Sequence, residues 1–223
     1  MSPSPWSVDR CRGEAATFHD RPWPDPLVRA VWWFEADGPT VVLGSTQRHE
    51  LIDSDRARAG GVRVVTRRSG GGAVWLAPGE VTWVDVLVPV VDPLWVNDLG
   101  RASHWLGQAW SSTLADLGIG GTVVHRSGMV RTEWSDLVCF AGLGPGEVTL
   151  RGAKVVGISQ RRTRAGARFQ CALVHRWDPV PLLDVLALSD PERQRARREL
   201  TDVAAGVTVD PADVVAALVA NLP

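Results

Sequence analysis

Three stretches of this chain carry residue types that do chemistry. The first, Arg67-Arg68-Ser69-Gly70-Gly71-Gly72-Ala73-Val74, places three glycines in a row beside two arginines. Backbone without Cβ atoms can approach a ligand closely and present its N–H groups to it. The arginines would draw an anion or a carbonyl. The loop lacks the Gly-Lys-Ser/Thr of a P-loop and the glycine spacing of a dinucleotide fingerprint. Taken alone it reads more readily as a flexible turn between strands. The second stretch is Asp136-Leu137-Val138-Cys139-Phe140-Ala141-Gly142. Cys139 ends an expected strand just before a Gly/Pro-rich loop. A thiol exposed there is a candidate nucleophile, given a nearby cation to lower its pKa from about 8.5. The alternative is a buried structural cysteine, a role that Cys171, inside Phe169-Gln170-Cys171-Ala172, fits better.

The third stretch is Gly152-Ala153-Lys154-Val155-Val156-Gly157-Ile158-Ser159-Gln160. Of 24 Lys and Arg residues, Lys154 is the only lysine. Coding bias in a GC-rich genome accounts for the arginines, but a guanidinium does not replace a compact ammonium beside a reacting group. Lys154 follows a turn and opens an apolar strand. From there it would reach a substrate carbonyl or phosphate, with Gly157 clearing space opposite. The plainer reading is an edge-strand lysine that blocks aggregation. The five histidines show no metal-ligand spacing, so no metal site is expected.

These residues need a scaffold. A chain of 223 residues with 45% hydrophobic content can bury roughly 70% of its unfolded surface without disulfides or metals. A formal charge of −1 argues against a nucleic-acid binder. The polar start, Met1 to Asp20, predicts no signal peptide, and no apolar run is long enough to span a membrane. Three irregularly spaced cysteines give neither a disulfide framework nor a zinc pattern and suggest a reducing cytoplasm.

Residues 1–26 read as an N-terminal arm, 27–178 as the main domain and 179–223 as a helical element packed on it. Strands are expected at Val28–Ala36, Thr40–Gly44, Val62–Arg67, Val81–Val90, Thr122–His125 and Asp136–Phe140. A meander follows, with turns at Arg151-Gly152 and Arg164-Ala165-Gly166. Leu99–Leu117 has helical apolar spacing. Pro181–Leu188, Pro191–Leu200 and Pro211–Ala220 are further helices, the last with Asp210 as N-cap and Pro211 at the first position. Strands, then a helix, then more strands predict an α+β fold with mixed or antiparallel sheets flanked by helices.

In their order along the chain, these pieces resemble the lipoate-protein ligase, octanoyltransferase and biotin-protein ligase superfamily. Val42-Leu43-Gly44-Ser45-Thr46-Gln47 is similar to the family's "LGxxQ". Arg67–Val74 resembles its acyl-binding loop, Glu80-Val81-Thr82-Trp83 its "ELTY", and Gly152–Gln160 the segment whose lysine contacts the acyl carbonyl or acyl phosphate. The resemblance implies the class II synthetase and biotinyl/lipoyl ligase fold. It makes Arg67, Ser69, Gly70, Gly71, Gly72, Ala73, Thr82, Gly157 and Ser159 substrate-binding, and Cys139 and Lys154 catalytic. Cys139-Phe140 is similar to the "CF" of octanoyltransferases and lipoyl amidotransferases, which pass the acyl group through a cysteine thioester without ATP. Ser69-Gly70-Gly71-Gly72 is nearer the ATP-dependent ligases, which would add ATP and Mg as cofactors. The family's His-Asp is replaced by Leu76-Ala77 and its last-strand "HG" by Gln170-Cys171, which leaves room for a non-catalytic binding protein. The transferase reading implies an octanoyl or lipoyl substrate. Its partners would be an acyl carrier protein and a lipoyl-domain protein, such as the glycine cleavage H protein or a 2-oxoacid dehydrogenase subunit. A monomer is expected, and Trp32, Trp33 and Trp83 are candidate linings of an apolar pocket.

Overall fold

The computed structural model describes residues 6–223. Strands β1 (Ser7–Gly13), β2 (Ala30–Ala36), β6 (Val81–Pro89), β7 (Thr122–Val124), β8 (Val148–Leu150), β9 (Ala153–Arg162) and β10 (Gly166–Val174) form one sheet. Its order is β1-β2-β6-β10-β9-β8-β7. All its pairs are antiparallel except β1 with β2. Strands β3 (Thr40–Leu43), β4 (Arg63–Thr66) and β5 (Val74–Leu76) form a small mixed sheet in the order β4-β3-β5. Among the described residues, six α-helices complete the α+β fold: α1 (Ala15–Asp20), α2 (Ser54–Ala59), α3 (His104–Asp116), α4 (Val180–Val185), α5 (Asp190–Leu200) and α6 (Pro211–Asn221).

The period-two pattern of β6 explains the layering. Val84, Val86 and Val88 point to one face of the large sheet, where Leu106, Trp110 and Leu114 of α3 and Val214, Val215 and Leu218 of α6 cover them. Trp83 and Leu87 point to the other face, against Phe18 of α1, Val42 of β3 and Leu76 of β5. The far side of the small sheet, Val41 and Leu43, packs on α4 and α5 through Leu182, Leu183, Ala196 and Leu200. Asp210 caps α6 by accepting from the Ala212 amide at 2.7 Å, with Pro211 at the first helical position. A capping box of Ser189 and Glu192 starts α5.

Several local expectations change. The first five residues of the expected arm lie outside the described residues. The rest of it is integral: β1 runs parallel to β2, and α1 buries Ala15 and Phe18. Polar alternation hid β1 because it is an outer strand with one wet face. Asp136–Phe140 is no strand. It is a turn with one isolated bridge, Val138 to Ala73, leading into a 3-10 turn at Cys139–Ala141. Helix α3 starts at His104 rather than Leu99, which is exposed. Strand β5 had no separate signal, being three residues long. Strand β9, between β10 and β8, is interior, so Lys154 is no edge-strand lysine.

A buried ion pair pins α1 to the large sheet. Arg168 of β10 donates through Nε to Asp85 of β6 at 2.5 Å and through Nη2 to the Phe18 carbonyl at 2.7 Å. Asp85 also accepts from Trp83 Nε1 at 2.7 Å. Both charged side chains are shielded from solvent. Removing one partner strands the other charge, so Asp85→Ala should cost about 3–5 kcal/mol in urea denaturation. The double replacement Asp85→Leu with Arg168→Met should recover most of that loss.

Candidate active site

The space between the two sheets is lined by many of the residues singled out from the sequence, and Cys139 borders both of its cavities. Its position follows from backbone contacts. Ala73, just after the glycines, donates to the Leu137 carbonyl and accepts from the Cys139 amide, both at 2.9 Å. The glycines permit this closeness. A Cβ on Gly72 would lie 2.7 Å from the Cys139 nitrogen, and one on Gly44 would lie 1.8 Å from the Gly71 carbonyl oxygen. Gly71 adopts a φ of +101°, a conformation open chiefly to glycine. Gln47 ties the turn from the other side, donating to the Asp136 carbonyl at 2.8 Å and accepting from the Gly44 amide at 3.0 Å. Among the described residues, the amides of Gly70, Gly71 and Gly72 donate to nothing.

Arg67 does not face outward to an anion. It is buried, and its guanidinium donates to the carbonyls of Val42, Gly70 and Gly72. It thus shapes the glycine loop from within. Its Nε remains without an acceptor. Arg68 is the exposed neighbour, 3.3 Å from Asp20.

Lys154 is 3% exposed. Its Nζ lies 2.8 Å from Glu147 Oε2 and donates to the carbonyls of Cys139 at 3.1 Å and Gly142 at 3.0 Å. An ammonium has three N–H bonds, so all are engaged. The ammonium also sits 4.9 Å from the Phe140 ring centre. Glu147 is held in turn by the amides of Gly144 at 2.6 Å and Ile158 at 3.0 Å. The lysine expected to touch substrate therefore clamps the cysteine turn. Glu147 went unnoticed in the sequence, although Gly144-Pro145-Gly146-Glu147 marks a constrained turn ending in a carboxylate.

Two cavities meet at Cys139. The first is a narrow slot between the two sheets. Val42, Val74, Leu76, Trp83, Phe140 and Ala172 make most of its wall. The second is a wider cleft of about 1020 Å³ bordered by Gly70–Gly72, Arg131, Asp136, Glu147, Lys154 and Gln160. Cys139, Ile158 and Ser159 line both. Gly157 lines the slot, where a Cβ would lie 3.4 Å from the Phe140 ring. Ser69 and Ser159 are joined at 3.0 Å, and Ser69 donates to Gln170 Oε1 at 2.9 Å.

Not every expected residue reaches this space. Thr82 is buried against His175, 2.6 Å from its Nε2, and lines neither cavity. Its side chain points away from that of Trp83, which does line the slot. Ala73 acts through its backbone alone. Of the three tryptophans, Trp83 borders the slot, whereas Trp32 and Trp33 pack in the core. Leu76, at the expected place of the family's His, is slot wall; Ala77 does not reach it. Gln170, at the other departure, lines the slot and accepts from the Ser69 hydroxyl. Cys171 lies on β10 with its thiol pushed up by burial.

One slot residue had no signal in the sequence. His19 of α1 packs on Trp83 with ring centres 4.5 Å apart, and its Nδ1 meets Gln170 Nε2 at 3.2 Å. Burial, with the charges of Arg168 and Arg67, pushes its pKa down to about 3. Only the tertiary fold brings it to residue 170, so spacing could not reveal it.

Comparison with known proteins accords with this architecture. The family model for the lipoyl protein ligase A/B catalytic domain matches residues 24–222. An octanoyltransferase of Roseiflexus sp. (strain RS-1) is 32% identical over 120 residues, covering 51% of this chain and 48% of that protein. Octanoyltransferase LipM of Carboxydothermus hydrogenoformans is 29% identical over 175 residues, covering 77% of this chain and 62% of the relative. The chain thus spans about half to two thirds of the length of the curated relatives it matches. Among solved structures, a bi-partite lipoate protein ligase from Thermoplasma acidophilum, described with its E2 lipoyl domain, superposes with a TM-score of 0.71 at 17% identity. That match covers 99% of this chain and 82% of the other. With the family model matched over nearly its whole length, this chain belongs to the lipoyl protein ligase A/B catalytic domain family.

Proposed function

We propose that this protein is an acyltransferase that moves an octanoyl or lipoyl group through a thioester on Cys139 to a lysine of a lipoyl-domain protein. The observation that carries the proposal is the position of Cys139, at the junction of an apolar slot and a polar cleft, beneath amides with no acceptor. An acyl chain in the slot would put its carbonyl carbon beside Sγ. The Gly70–Gly72 amides, with the unpaired Arg67 Nε–H, would hold the carbonyl oxygen as negative charge grows on it.

In the first step the Cys139 sulfur bonds to the acyl carbon and the carrier's thiolate leaves, taking up the proton that Cys139 gave up. In the second, the acceptor's neutral amine bonds to the same carbon, the Cys139–acyl bond breaks, and the amine's proton returns to sulfur. The two partners approach in turn through the wider cleft. Octanoyltransferase relatives at 29–32% identity support the reaction class. The solved relative described with an E2 lipoyl domain supports a lipoyl-domain acceptor. Lys154 acts as a positioning residue. The ATP-dependent alternative needs its ammonium for a phosphate, whereas here all three N–H bonds are engaged within the protein.

Intact-protein mass spectrometry after mixing with octanoyl carrier protein, without ATP, tests the reaction. The wild type should gain one octanoyl group that hydroxylamine removes, and Cys139→Ala should gain none. An unmodified wild type would sink the thioester route, and acyl transfer that requires ATP with free octanoate or lipoate would replace it with the ligase.

Lys154→Met should destabilise the fold by about 3–5 kcal/mol, because it strands the Glu147 carboxylate. Adding Glu147→Gln should restore part of that stability by removing the stranded charge, though its NH₂ then faces a Gly144 or Ile158 N–H, while acylation of Cys139 stays about tenfold or more slower because its turn is unclamped. Acylation at the wild-type rate in the double variant would show that the clamp does not serve the reaction.

A further inference from the structure

The slot is apolar apart from a short polar chain on one wall, and that chain ends in an unanswered donor. Ser69 donates to Gln170 Oε1, so the Gln170 NH₂ faces the other way, toward His19 Nδ1 at 3.2 Å. Nδ1 is therefore the acceptor. A neutral imidazole carries one N–H, and here it must be at Nε2. The low pKa of His19 keeps the ring neutral at physiological pH. His19 is 7% exposed, lines the slot, and its Nε2 has no partner among the described residues. A buried donor without an acceptor costs free energy, so a ligand that brings an acceptor to it gains more than one that does not.

We propose that His19 is a specificity-determining residue that reads a hydrogen-bond acceptor in the chain of the bound acyl group, favouring chains that carry one over plain saturated chains. The acceptor is a dithiolane sulfur or a hydroxyl oxygen. Both present a lone pair within a largely apolar chain, and a saturated octanoyl group presents none. The inference rests on the slot being the acyl site, as in the function proposed above, but not on Cys139 chemistry.

Binding of free acids, followed by quenching of tryptophan fluorescence and by calorimetry, separates the two. Octanoate, lipoate and 8-hydroxyoctanoate are the probes, with the wild type, His19→Phe and His19→Gln as proteins. The wild type should bind at least one acceptor-bearing acid about tenfold more tightly than octanoate. His19→Phe should bring the acids within about twofold of one another, and His19→Gln, which keeps an N–H, should retain part of the preference. Lipoate alone preferred identifies sulfur as the acceptor, and the hydroxy acid alone identifies oxygen. Equal binding of all three by the wild type, or a preference that survives in His19→Phe, overturns the proposal, as does failure of every acid to bind. In the wild type, the His19 Nε2–H proton resonance should move downfield with the preferred acid and not with octanoate. That readout stands even if the variants fold poorly, and its absence also overturns the proposal. Selective binding without any Cys139 adduct would leave this inference standing and remove the transferase reading.

Discussion

The site depends on one buried ammonium. The Cys139–Gly142 turn has no strand or helix of its own to hold it, only the bridge at Val138 and a short 3-10 turn. Lys154 supplies the missing restraint by binding the carbonyls at both ends of that turn while its charge is balanced by Glu147. A guanidinium is too wide and planar to stand in for it. The one lysine of an otherwise arginine-only chain is found where a compact three-donor cation is needed. Glu147 extends the restraint to β9 through the Ile158 amide, so the cysteine's turn is coupled to an interior strand of the large sheet.

The two sheets divide the chemistry. Side chains of β6 and β10 that face α3 and α6 build the main core. Those on the opposite face meet the small sheet and leave an apolar slot. The wider cleft opens where the glycine loop and the 139–147 region replace regular strands. The loop can bring free amides and a thiol to one point, whereas strand amides are already paired within the sheet. The boundary between slot and cleft thus coincides with the boundary between regular and irregular structure, and Cys139 stands on it.

Much of this was legible in the residues. The alternation of Val81–Pro89, the helical spacing around Leu106 and Trp110, and the Asp210-Pro211 start of α6 each express a local rule and appear where that rule puts them. The glycine run, Cys139 and Lys154 announced themselves by residue type, and they do meet. What was hidden depends on distance in the chain. The direction of the Arg67 guanidinium, the retreat of Thr82 toward His175 and the partnership of Lys154 with Glu147 are set by packing, which no window of sequence contains. The outer strand β1 was concealed for a simpler reason: a strand with a wet face and a single neighbour carries too few apolar residues to stand out from a loop.

The wall of the slot joins parts of the chain that are made far apart in time. His19 meets Gln170 across 151 residues, and the Arg168 guanidinium binds the Phe18 carbonyl across 150. Closing such a loop before contacts reward it is entropically unfavourable and slow. During synthesis, α1 emerges early and can pack on Phe34 and Trp83, but it lacks its bonds to Arg168 and Gln170 until β10 has left the ribosome. The slot is therefore completed late: a chain arrested before β10 has the wall made by Val42, Leu76 and Trp83 but lacks the one that Gln170 and Ala172 supply.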